Sequence, residues 1–338
     1  MTFSAGGLID TASYNNLASL GIAGGAGINI NNFYNTGLRI YGFGQPNPLA
    51  LVTNADLVTS AQWTTALSRV SAMANHMGVS LNPTDPTAVN DLIKYDIDYY
   101  NNLSVLNNNM FSAAAQGTPT SLTGTCTTSW KQSCYFDHTI TFPTADNARY
   151  FFNAGGQFKL TYSSPTGPSY KIDFIMSQLA SDVGTVVMSA PSMAEYLPNG
   201  VKIAGTMYNG ITQLNNYTLA SIFINNRLGY WGLPSSASVN FTSPTTLALE
   251  QKSRIGLSAY LNTNLQVRVL SNGTQGSNQD NGNVITIRSI FDEVPDGAAG
   301  NTTVSPGTTA TCTIVPPSTT YLSKTWGTPT ITVNFVAT

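Results

Sequence analysis

The side chains best suited to chemistry in this sequence are acidic. Asp292, Glu293 and Asp296 cluster after a strand-like run. Two carboxylates suffice for glycoside hydrolysis, and hard oxygen ligands of this kind also hold calcium. A plainer reading is a solvated strand end closed by Asp296-Gly297, a turn-forming pair. No second polar group converges on the three, so no catalytic residue and no metal ligand is assigned. Asp96 and Asp98 sit two apart on a predicted helix and face different sides. Asp280-Asn281-Gly282-Asn283 resembles part of a calcium loop but lacks the distal bidentate Glu. His76 and His138 are the only histidines. Without HExxH, CxxC or a third nitrogen there is no zinc pattern, and GxSxG is missing too. Gly24-Gly25-Ala26-Gly27 looks like a phosphate loop. It leads into Ile28-Asn29-Ile30-Asn31, which alternates like a strand, whereas a dinucleotide loop must open a helix. No cofactor is expected.

Cys126, Cys134 and Cys312 are an odd set of three, read as free thiols; the alternative joins Cys126 to Cys134 across the loop carrying Trp130. Tyr95, Tyr99 and Tyr100 could stack on sugar, but on a helix they read as core or interface. Sequons at Asn102, Asn216, Asn240, Asn272 and Asn301 are expected by chance in a chain so rich in Asn and Thr. Arg149 stands apart. It lies between Asp146, three residues earlier, and the aromatic pair Phe151-Phe152, so an ion pair with Asp146 or stacking on Tyr150 or Phe152 is expected.

The elements that hold these residues follow from pattern. Residues 133–142 alternate with period two, as do 157–162, which predicts two strands. Between them Pro143 starts a turn, 145–153 form a short helix, and Asn153-Ala154-Gly155-Gly156 supplies a turn that tolerates positive φ. Upstream, residues 8–21 read as a short helix capped by Asp10. Thr59 or Ser60 caps a helix that places Trp63, Leu67, Val70, Ala74 and Met77 on one face until Gly78. Asp85 and Pro86 start a second helix reaching about Asn107, expected to pack antiparallel on the first. Residues 110–124 read as a linker and 170–183 as another helix. Strands are predicted at 185–189, 201–207, 217–225, 237–242, 255–260, 265–270 and 284–291. Residues 308–338 read as an extended arm with one alternating run, 330–336, containing Phe335. The fold class is α+β: an N-terminal helical hairpin, then a mainly antiparallel β-sandwich-like domain with one or two short helices. The expected domains are 1–110 (mostly helical, for assembly), 125–300 (sandwich) and 301–338 (arm).

Residues 146–157, D-N-A-R-Y-F-F-N-A-G-G-Q between two strands, resemble a family of virion structural proteins of tailed bacteriophages, best known from large marine and cyanobacterial phages. Val58-Thr59-Ser60-Ala61-Gln62-Trp63, followed by Ala74-Asn75-His76, resembles the N-terminal region of the same family. There a G-Y-G-Q turn precedes the helix; here Tyr41-Gly42-Phe43-Gly44-Gln45 carries one extra residue. The resemblance implies a particle component at the neck, collar, tail or fibre attachment, with no catalytic residue to carry over.

Composition agrees. Charged residues are 9% of the 338, hydrophobic ones 42%, and the formal net charge is −2. Asn, Thr, Ser and Gly supply the polarity, which suits a protein held in an assembly. Fourteen Lys and Arg spread along the chain make no nucleic-acid face. No apolar run is long enough to span a membrane, and the first residues show no secretory signal. The expected partners are copies of the chain itself, as a trimer or higher cyclic oligomer, and other virion proteins, with a host surface glycan as a further candidate. The expected setting is the virion. Trp63, Arg149, Phe151, Phe152 and Phe335 are the structural and assembly candidates. A glycan- or receptor-binding β-sandwich of a fibre and a particle-borne hydrolase are the alternatives.

Overall fold

A computed structural model describes residues 11–20, 29–37, 40–53, 56–82, 98–166, 171–190, 196–197, 200–203, 206–208, 213–214, 217–218, 222–223, 229–252, 262–273, 282–294 and 303–338. The chain divides into two compact units. The first joins Met1–Thr118, Arg149–Gly156 and Pro316–Trp326; the second joins Pro119–Ala148, Gln157–Val315 and Gly327–Thr338.

In the first unit α1 (Thr11–Asn15) runs into a π-helical turn, Asn16–Leu20. The expected strand at 28–31 is instead the start of α2 (Ile30–Tyr34), because the Asn29 side chain accepts from the Asn32 amide and caps a helix. Helix α3 (Ser60–Met77) opens on a capping box: Gln62 N–H donates to Thr59 Oγ1, and Thr59 N–H donates to Gln62 Oε1. It buries Trp63, Ala66, Val70, Met73, Ala74 and Met77. Gly78, at φ 71°, ends it: Val79 N–H returns to Ala74 O and Gly78 N–H to Asn75 O.

Helix α4 (Asp98–Asn108) buries Tyr99, Leu103 and Leu106. It packs on α3, with the Tyr99 and Trp63 rings edge to face at 4.8 Å. Past the end of α4, Ala114 N–H donates to His76 O at the end of α3. Asn82, just past α3, bonds Asp98 and Asn102 at the start of α4, so the two helices are neighbours, which is partly consistent with the expected hairpin. The expected start at Asp85 and Pro86 lies outside the described residues, as do Asp10, Gly24 and Tyr95.

The second unit holds β1 (Thr120–Thr125), β2 (Ser133–Thr141), α5 (Ala145–Asn153, whose last five residues belong to the first unit), β3 (Gln157–Ser163), α6 (Lys171–Val183) and β4 (Thr185–Met188). Short strands follow: β5 (Tyr196–Leu197), β6 (Gly200–Ile203), β7 (Thr206–Tyr208), β8 (Gln213–Leu214), β9 (Tyr217–Thr218) and β10 (Ile222–Phe223). The last are β11 (Leu247–Lys252), β12 (Asn264–Ser271), β13 (Val284–Asp292), β14 (Thr309–Val315) and β15 (Thr330–Ala337). One antiparallel sheet has the order β1-β14-β3-β4-β7-β6-β5, the other β10-β11-β12-β13-β2-β15. They pack as a sandwich. Tyr162 of β3 bonds Ser289 of β13 at 3.1 Å and meets the Phe291 ring edge-on. A Cβ on Gly124 of β1 would lie 2.7 Å from Phe136 of β2 and 2.8 Å from Val333 of β15, so only glycine admits those side chains. Helix α6 covers β3, β11 and β12. The fold class is therefore α+β with two antiparallel sheets, as expected.

Three expectations change. Residues 110–124 are not all linker, since β1 pairs along its length with β14. Residues 237–242 are turns rather than a strand. The arm 301–338 is no arm: β14 lies between β1 and β3, Pro316–Trp326 belongs to the first unit, and β15 is an edge strand paired with β2. The reason is that β2 and β3 both leave an edge that needs backbone partners, and Ile331, Val333 and Phe335 find packing beside β2.

Trp63 is 1% exposed and its Nε1 has no hydrogen-bond partner among the described residues, so its contribution there is packing. Trp63→Ala is expected to cost about 3–5 kcal/mol, and Trp63→Phe clearly less, because no bond is lost. Thermal unfolding of both variants checks this; equal losses would contradict it.

Candidate functional site

The 41–45 turn, helix α3 and residues 149–156 all belong to the first unit. Helix α5 ends in a Schellman turn: Gly156 N–H donates to Phe151 O and Gly155 N–H to Phe152 O, with Gly155 at φ 84°. Phe151 and Phe152 are fully buried, their rings edge to face at 5.1 Å. Gly156 lies so close to the Phe151 ring that a Cβ would stand 2.5 Å from it. The N-A-G-G turn is thus dictated by the helix end and by the ring that packs on it.

Arg149 is 5% exposed. It donates from one terminal nitrogen to Tyr41 O at 2.8 Å and Gly37 O at 3.4 Å, and from the other to the Tyr150 hydroxyl at 3.1 Å. Its guanidinium also lies 4.5 Å from the Tyr150 ring centre, the stacking partner expected from the sequence. Asn153 donates to Tyr41 O and Gly42 O, both at 3.1 Å. Gly44 admits the Tyr150 ring, which a Cβ there would meet at 2.5 Å. His76 Nε2 lies 2.9 Å from Ala154 O. A carbonyl only accepts, so Nε2 carries the proton. Burial lowers the pKa of His76 against a smaller opposing effect of that bond. His76 at the helix end is therefore a buried donor whose neutral form is favoured. Sequence reasoning named each stretch; it did not foresee that the Tyr41–Gln45 turn, the end of α3 and the end of α5 would close on one another.

Side-chain amides do the same work around this cluster. Asn15 pairs both ways with the Val52 backbone, Asn31 with Leu49, Gln45 with Ser323 and Asn102 with Asn82, each amide donating and accepting at 2.8–3.2 Å. Arg69 is also turned inward, donating to Asn31, Asn35 and the Asn47 carbonyl. These groups hold irregular backbone and present no reacting atom to solvent. No protein-family model, curated protein or solved structure matches the chain.

The other candidates are placed in the second unit, apart from the tyrosines and Asp98. Asp292 ends β13 and Glu293 follows it, so in an extended chain their side chains leave on opposite faces. Asp296 lies outside the described residues. Glu293 is 3% exposed, and neither of its carboxylate oxygens has a hydrogen-bond partner among the described residues. Burial, then the Asp292 charge, raise its pKa to about 7. Asp292 is raised too, by burial first, with a bond to Asn264 opposing and the Glu250 charge adding. Among the described residues no group of three His, Cys, Asp or Glu is placed to hold a metal. Asp98 accepts from Asn82 and Asn101. Tyr99 is core, against Trp63. The three cysteines are free and buried. Phe335 lies on β15, its ring 6.4 Å from that of Phe136.

One group was missed. Arg288 is bidentate to Asp137, at 2.7 and 2.6 Å, and sits between the Tyr135 and Phe241 rings at 4.1 and 4.4 Å. The alternation of Tyr135 and Asp137 was legible, but the register that brings Arg288 opposite Asp137 was not.

Replacing Arg149 by Met should cost about 2–3 kcal/mol, since bonds from a charged donor to buried carbonyls are lost, and Lys should recover little of it. Urea unfolding of the two variants measures this. For Glu293 the folded state holds the proton between about 4.5 and 7, where the unfolded state has lost it. Its stabilisation is present below 4.5 and is lost as pH rises through 7, by up to about 3 kcal/mol. Glu293→Gln should remove that slope in stability measured from pH 4 to 8; an unchanged slope would contradict the assignment.

Proposed function

We propose that the chain is a non-enzymatic structural component of a tailed-phage virion, at the neck, collar, tail or fibre attachment, acting through protein–protein assembly. One observation carries the reading furthest. The two stretches that resemble the virion family, 41–76 and 146–157, are far apart in sequence yet join in one buried cluster through Arg149, Asn153 and His76. Residues spent on holding backbone carbonyls are what a scaffold needs, and they leave nothing there for a substrate to meet. The carboxylates best suited to hydrolysis, Asp292 and Glu293, diverge. Assembly with copies of the chain belongs to this reading, but the arm expected to mediate it is folded into the chain's own sheets, so another surface must serve.

A glycan-binding fibre domain is the competing reading. It needs aromatic faces open to a sugar, whereas Tyr99 is packed on Trp63, and Tyr135 and Phe241 each turn a face to Arg288.

Quantitative mass spectrometry of purified particles tests the proposal. The chain should be present at a fixed copy number relative to the major capsid protein. Its loss from the particles on purification, or hydrolysis of host envelope that disappears in Asp292→Asn with the fold intact, would overturn it.

A further inference from the structure

Strand β15 ends one sheet and β1 ends the other, and Gly124 against Val333 places both free edges on the same side of the sandwich. Backbone bonding in an antiparallel pair alternates along the strand. Thr338 N–H donates to Ser133 O, so Val336, Asn334, Thr332 and Thr330 turn their amides toward β2, and Ala337, Phe335, Val333 and Ile331 turn theirs outward. Likewise Cys126 N–H donates to Thr308 O, which leaves the amides of Ser121, Thr123 and Thr125 facing outward from β1. No described residue pairs with these outward groups.

Monomeric proteins blunt such edges with charge, proline or a bulge. Neither β1 nor β15 contains a charged residue or a proline, and neither pairing breaks register. Thr330, Thr332, Asn334, Ser121, Thr123 and Thr125 are exposed. Ile331, Val333 and Phe335 remain half-buried. Unpaired amides and carbonyls at a two-residue period that are not left to water match the ladder of another extended strand.

We propose that this side of the sandwich is a self-assembly surface, on which a second copy of the chain adds β15 to β15 and β1 to β1 about a two-fold axis. A lone peptide would fill one edge and leave the other open. A second copy brings two strands at the spacing of two packed sheets, about 10 Å. A two-fold axis sets the residues nearest to it beside their own kind, where any charge would repel itself; these edges carry none. Because both edges lie on one side, the contact closes on itself and gives pairs, so even copy numbers replace the expected three. The inference rests on the assembly reading above for its setting, but not for its test.

Light scattering on the purified full chain should give twice 35.9 kDa. The double variant T332K/N334K changes only exposed side chains and sets like charges across the seam, so it should weaken the pair at least about tenfold. Asn334→Cys should cross-link the pair under mild oxidation with unchanged circular dichroism, against the buried native thiols as background. A monomer at about 100 μM, or a dimer that neither responds to the lysines nor cross-links, overturns the proposal. A monomeric chain found in particles sinks the pairing alone; a paired chain missing from particles sinks the virion reading alone.

Discussion

Backbone N–H and C=O groups outside helices and strands must find partners when they are buried, and in the first unit this constraint governs the whole arrangement. Residues 40–53 and 78–82 are irregular and form no ladder of their own. Carboxamides fill the gap. An Asn or Gln amide offers one donor and one acceptor with the spacing of a peptide group, so Asn15, Asn31, Gln45 and Asn102 each complete a two-way pair with a backbone segment. Arg149 and Asn153 extend the same logic to carbonyls of the 37–42 stretch. The unit is consequently assembled from three separate pieces of chain, none of which could satisfy its own polar groups.

This gives the composition a different meaning. Scarce charge and abundant Asn read at first as a surface suited to an assembly. Part of that Asn is turned inward: Asn15, Asn29, Asn35, Asn102 and Asn153 are all buried. The two edge strands β1 and β15 are neutral as well, without a charged residue. On the outer face beside β1, hydroxyls pair with one another across strands, as in Ser121 with Thr313 and Thr123 with Thr311, both at 2.8 Å. Such pairs add cross-strand stabilisation without charge.

What could be read from the sequence was what is encoded locally. The cap at Thr59, the face through Trp63 and the stop at Gly78 sit within one helix, and β2 and β3 announce themselves by clean alternation. The fold class followed from these. Strands β1 and β14 did not show because their inward residues are small: Gly124, Ala310 and Cys312 alternate with threonines, so the pattern looks like a polar tail. Gly124 has to be small to admit Phe136, and only the sandwich reveals that need. The alternation before Asn31 misled because an Asn placed to cap a helix looks like the polar half of a strand. Arg149 stands out in the sequence, but the carbonyls it holds lie about a hundred residues away, a pairing no local spacing encodes.

The central claim is that Arg149–Gly156 and Pro316–Trp326 are energetically part of the N-terminal unit and not of the sandwich strands that flank them in sequence. Hydrogen exchange by mass spectrometry at increasing urea tests it most directly. Peptides covering 149–156 and 316–326 should lose protection together with α3, at one urea concentration, while β2 and β14 lose theirs at another. If the two segments instead follow β2 and β14, or if all peptides open independently, the three-piece unit does not exist as a cooperative element.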